Sequence, residues 1–112
     1  MSNLSVTAST GTSGQPLLYL RGELDFATTA TLRTPALAAV AIDGCNELAL
    51  DFADVTFLDS SGLGVLVEIR NAARTHNAQM NLLNVPTAVT RVVEIAGLAT
   101  VFGVLPGGRP VE

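Results

Sequence analysis

The chemically richest stretch of the 112-residue chain is Leu58-Asp59-Ser60-Ser61-Gly62-Leu63-Gly64. It sets a carboxylate and two hydroxyls where a run of apolar residues gives way to a helical pattern. A helix start carries unpaired backbone N–H groups and the positive end of the helix dipole. A hydroxyl placed there is oriented and accessible, and a phosphate on it meets a favourable field. The plain alternative is helix capping, for which Asp and Ser are favoured at about 1 kcal/mol each. Capping does not explain two glycines in a first turn, since each costs up to about 1 kcal/mol against Ala in a helix. Gly62 and Gly64 point to close approach by another surface.

Several elements must form to position this segment. Leu4, Val6 and Ala8 alternate with polar residues, which predicts a strand with one face toward a core. The turn-forming run from Gly11 to Pro16 returns the chain as an antiparallel strand over Leu17 to Arg21. Gly22-Glu23-Leu24-Asp25 ends that strand, and Asp25 suits the N-cap of a helix from Phe26 to Val40. Pro35 removes a hydrogen bond inside this helix, so a distortion or a restart is expected there. Glu47 to Phe52 reads as a buried parallel strand, with Asp54 to Leu58 as the loop after it.

Ser60 to Thr75 forms the second helix, with Leu63, Leu66, Val67, Ile69 and Ala73 facing inward. Gln79 to Asn84 is a further strand. Pro86 opens a third helix that reaches Ala96 and ends at Gly97. Val101 to Leu105 is expected to close the sheet. The order β-β-α-β-α-β-α-β predicts an α/β fold with a mixed four- to five-stranded sheet, its helices mainly on one face. One domain over residues 1–106 and a flexible tail over 107–112 are expected.

Composition narrows the function. Hydrophobic residues make up 48% of the chain and charged residues 14%, which describes a compact core rather than disorder. The net charge is −4, and the six basic residues are dispersed arginines, of which Arg70 and Arg74 have i, i+4 spacing. This balance argues against direct nucleic-acid binding. The start of the chain does not read as a signal peptide, and no apolar run approaches a membrane span, so a cytoplasmic protein without membrane contact is expected. Cys45 has no second cysteine to pair with and no basic neighbour to activate it. His76 stands alone near a helix end, where it offsets the dipole. Asp25, Asp51 and Asp54 are more simply a cap, a strand residue and a turn residue than a metal cluster. No metal, cofactor or catalytic pair is expected, and the chain does not read as an enzyme.

Three segments together resemble the STAS domain, and more narrowly the single-domain bacterial anti-sigma factor antagonists. They are Gly22-Glu23-Leu24-Asp25, Asp51-Phe52 and Phe57-Leu58-Asp59-Ser60-Ser61-Gly62-Leu63-Gly64, with Ala96-Gly97-Leu98 near the end. The resemblance implies binding to an anti-sigma factor that is also a serine kinase. It implies phosphorylation on the first serine after the aspartate, Ser60, followed by release and by reversal through a PP2C-type phosphatase. Ser61 is the rival acceptor, although one residue deeper it suits support of the helix start. Asp59 would orient the hydroxyl or its partner, Gly62 and Gly64 would supply contact surface, and Glu23 and Asp25 would border it. A STAS scaffold of a stress-signalling complex and an accessory STAS subunit of a transporter are the alternatives. Pro35 and the Asn84-Val85-Pro86 helix start depart from the family's usual pattern.

Overall fold

The computed structural model describes residues 2–105 and 109–110. The order is β1 (Leu4–Thr10), β2 (Pro16–Leu24), α1 (Thr29–Val40), β3 (Glu47–Leu58), α2 (Ser60–Thr75) and β4 (Gln79–Leu83). Then follow α3 (Thr87–Ile95), α4 (Ala99–Phe102), β5 (Val104–Leu105) and β6 (Arg109–Pro110). The main sheet runs β1-β2-β3-β4, antiparallel between β1 and β2 and parallel beyond. The β1–β2 turn closes with Gly11 N–H on the Gln15 carbonyl at 2.8 Å.

The helices cover one face of the sheet. Leu18, Leu20 and Leu24 of β2, Leu48, Leu50 and Phe52 of β3, and Met80 and Leu82 of β4 form that face. They share a single core with Leu32 and Ala36 of α1, Leu66 and Ile69 of α2, and Val89 and Val93 of α3. The opposite face is more open: it shows Tyr19, Glu47, Asp51 and Asn81, with Asn81 Nδ2 donating to Glu47 at 2.6 Å. This period-two division is what the alternating apolar residues require. An exposed ion pair, Arg33 Nε to Glu68 at 3.0 Å, joins α1 to α2; such pairs contribute at most about 1 kcal/mol.

Four features differ from the sequence-based expectations. Residues 54–58 are strand, not loop. Two bulges against β2 each insert an extra β3 residue, between the Tyr19–Asp51 and Arg21–Asp54 pairs and between Gly22–Val55 and Glu23–Phe57. Inward residues therefore fall at Phe52, Val55 and Leu58, a spacing of three that hides the strand from a period-two reading. Side chains serve the irregular backbone: Asp51 Oδ1 accepts from Ala53 N–H at 2.9 Å, and the Thr56 hydroxyl donates to the Gly22 carbonyl at 3.3 Å.

The first helix starts at Thr29, since Phe26 to Thr28 form a turn, and it runs unbroken through Pro35. The carbonyl that Pro35 cannot serve belongs to Thr31, whose residue is exposed, so water can take its place. The third helix begins at Thr87, with Pro86 as its N-cap rather than its first residue. Finally, Ala99 to Phe102 are helical, and β5 pairs with β6 instead of closing the sheet. The expected tail, 107–112, otherwise lies outside the described residues.

Local end signals act as their chemistry dictates. Gly97, at φ 75°, ends α3 with Leu98 N–H on the Val93 carbonyl and Gly97 N–H on the Glu94 carbonyl. Asn77, at φ 59°, ends α2 in the same way, with Ala78 N–H on Ala73 at 2.7 Å.

Candidate functional site

The segment from Asp59 to Gly64 lies at the carboxyl end of β3, where open parallel sheets place their binding residues. Asp59 is the N-cap of α2, in extended conformation at φ −116° and ψ −173°. Its Oδ1 accepts from Ser61 N–H at 2.9 Å and from Gly62 N–H at 3.0 Å. The carboxylate thus satisfies two of the amides that a helix start leaves unpaired. Capping and the chemical role expected of this segment are compatible, because capping fixes the backbone that carries Ser60.

Ser60 is the first residue of α2 and is exposed, while Ser61 is half-buried. Among the described residues no side-chain hydrogen bond engages the Ser60 hydroxyl, the Asp59 carboxylate included. Within the chain, Asp59 positions the serine through the backbone that it caps.

The two glycines separate in role. Gly64 is exposed, and a Cβ built on it would meet nothing within 4 Å. Gly62 is buried, and a Cβ there would lie 2.5 Å from the Leu24 carbonyl oxygen and 2.5 Å from Leu58 Cδ1. The close approach that Gly62 permits within the chain is to β2. The same carbonyl also accepts from Asp59 N–H at 3.4 Å.

Glu23 is half-buried at the end of β2 and pairs in register with Phe57. Asp25 is buried and is not the N-cap of α1, which is Thr28. It organises the preceding turn instead. Its carboxylate accepts from the Ser2 hydroxyl and from Ala27 N–H, while Asp25 N–H donates to Thr28 Oγ1 at 3.0 Å. Thr28 Oγ1 in turn donates to the Glu23 carbonyl at 2.7 Å. The Ser2 hydroxyl, helped by the Ala27 and Thr28 donors, lowers the Asp25 pKa despite an opposing desolvation effect.

Two residues not singled out from the sequence join this end of the sheet. Phe26 is 82% exposed and Phe57 is 48% exposed, although both are large and apolar. Both rings stand near the carboxyl ends of the strands that lead to α1 and α2. Residues 54–58 read as loop in the sequence, so no face of a strand could be assigned to Phe57. Elsewhere, Asp51 is held by Ala53 N–H and by Asn84 Nδ2, and it does not meet Asp25 or Asp54 in a cluster. His76 is exposed at the C-cap of α2, and Cys45 is half-buried.

The STAS domain model matches residues 6–108. The chain belongs to the STAS family. It is 32% identical over 100 residues to a STAS-domain containing protein of Pseudomonas aeruginosa, covering 88% of this chain and 97% of that one. It is 30% identical over 86 residues to the anti-sigma-B factor antagonist of Staphylococcus aureus, covering 77% of this chain and 79% of the relative. The fold is shared with the Bacillus anti-sigma factor antagonist SpoIIAA. Its unphosphorylated form superimposes with a TM-score of 0.73 at 23% identity, covering 86% of this chain and 84% of that one. SpoIIAA has also been solved phosphorylated, with a TM-score of 0.67 at 22% identity and 86% of both chains covered. The relatives whose role is stated are anti-sigma factor antagonists, and no enzyme family is indicated. Among the described residues no helix is long and apolar enough to cross a membrane.

Proposed function

We propose that this STAS protein is an anti-sigma factor antagonist whose binding is switched off by phosphorylation of Ser60. The partner is an anti-sigma factor with serine kinase activity, and capture of that partner frees a sigma factor. The observation carrying this reading is the exposed Ser60 hydroxyl on the first residue of α2, held in place by the Asp59 cap. The antagonists among the relatives, and the existence of SpoIIAA in both phosphorylation states, support it.

In the modifying step, Ser60 Oγ attacks the γ-phosphorus of ATP bound by the partner. An O–P bond forms, the bond to the β-phosphate oxygen breaks, ADP leaves, and the hydroxyl proton passes to a base of the partner. The product carries about −1.5 to −2 additional charge at pH 7. The α2 dipole tolerates it, so the fold survives. At a fitted interface the same group adds bulk and repulsion beside Asp59, which costs affinity. A PP2C-type phosphatase hydrolyses the ester and restores the hydroxyl. The cycle runs in the cytoplasm, the compartment of bacterial transcription.

The deciding experiment is affinity capture from native-host lysate with wild type and Ser60→Asp in parallel. Recovery of an ATP-binding anti-sigma factor on the wild type alone supports the reading. Equal recovery on both overturns Ser60 as the switch.

A further inference from the structure

The charges of α2 are sorted by direction. Glu68 turns toward α1 and pairs with Arg33. Arg70 and Arg74 lie on the other side, where they line a groove of about 650 Å³. Its floor is the whole of β4, Gln79 to Leu83, and its far wall is Thr100 to Gly103. β4 is the last strand in the hydrogen-bonded order of the main sheet, and α4 and β6 also approach it. The groove therefore runs along this strand between α2 and residues 100–103. Among the described residues the lining holds no Asp or Glu, in a chain whose net charge is −4.

We propose that this groove binds an extended acidic segment of a partner protein, its carboxylates held by Arg70 and Arg74. The shape comes first: a five-residue strand gives a floor roughly 16 Å long, which suits an extended chain better than a single small anion. The spacing comes second. Residues four apart on a helix are about 6 Å apart along its axis. Side chains on one face of an extended segment repeat every 6.6–6.8 Å or so. Acidic residues at alternate positions therefore meet the two guanidinium groups in step, and guanidinium is the side chain best matched to carboxylate. Arg74 in the last turn also offsets the α2 dipole, but that effect has faded a turn earlier, at Arg70. This goes beyond the phosphorylation reading and does not depend on Ser60.

The test is an NMR titration of the full ¹⁵N-labelled chain with a blocked nonapeptide alternating Glu and Thr. The expected result is saturable shifts confined to Arg70, Arg74, residues 79–83 and residues 100–103. The peptide with Gln in place of Glu should give none. Arg70→Gln and Arg74→Gln, both at solvent-reached positions, should each weaken binding about tenfold while melting as wild type does. Shifts spread equally over Arg21, Arg33 and Arg91, or affinity unchanged in both variants, would overturn the proposal. A single-stranded oligonucleotide that moves the same resonances at lower concentration than the peptide would overturn the acidic segment as occupant.

Discussion

Gly62 packs so closely on Leu24 that a Cβ at residue 62 would stand 2.5 Å from the Leu24 carbonyl oxygen. The first turn of α2 is thereby pressed against the end of β2, and the Ser60 backbone inherits that position. Gly62→Ala is expected to lower stability by about 1–3 kcal/mol, the usual cost of forcing atoms into a filled space. Gly64→Ala, on the open side of the same turn, should instead raise stability by up to about 1 kcal/mol through helix propensity. Urea midpoints of the two variants check this opposite pair of signs.

Asp59 serves as a cap through one oxygen, Oδ1, which takes both amides. Asp59→Ala is therefore expected to cost about 0.5–2 kcal/mol, read as a lower melting temperature. Asp59→Asn keeps an acceptor oxygen in the same place and should melt close to wild type. The Asn variant also removes the negative charge beside Ser60. Its rate of phosphorylation by the captured kinase then reports the charge separately from the cap.

Ser60→Ala should bind the partner as wild type does and take up no phosphate. Ser60→Asp should bind at least about tenfold more weakly, the result of a charge placed in a fitted contact. Phosphate-affinity gels and calorimetry with the captured partner measure both. Phe26→Ser, at a position 82% exposed, should leave melting unchanged and weaken capture. Phosphate found on Ser61 in the Ser60→Ala protein would transfer the switch to the rival residue.

Asp25 links the start of the chain to the turn before α1, and its pKa is lowered chiefly by the Ser2 hydroxyl. A carboxyl depressed in the folded state stabilises fully above its ordinary value near 3.8. As pH falls below that value the unfolded chain binds the proton first, so the contribution is lost on the way down to the folded value. Stability should thus fall with acid in that window, and Asp25→Asn should flatten the slope there. Denaturant unfolding at several pH values between 2 and 5, about the range in which an Asp titrates, reads it directly.

The α/β element order and the place of the candidate serine were legible in the residues because both rest on short-range rules, while the STAS family was reached through the resemblance of three motifs. Capping by Asp59, the helix end at Gly97 and the apolar stripe of α2 involve neighbours within about four residues, which a sequence displays side by side. What distant strands do to one another was not legible. The two β3 bulges exist only in register with β2, and they carry the strand through residues expected to be loop and turn Val55 into the core. Gly22, at φ 116° with the Asn3 carbonyl where a Cβ would sit, and Gly62 against Leu24 look alike in sequence to the open Gly64. Pro35 forecast a break that exposed Thr31 makes unnecessary. Sequence by itself determined which segments fold and which end carries the hydroxyl, since propensity and periodicity are local. Tertiary structure alone decided which glycine faces the protein and which faces solvent, because steric room is set by atoms brought together from far along the chain.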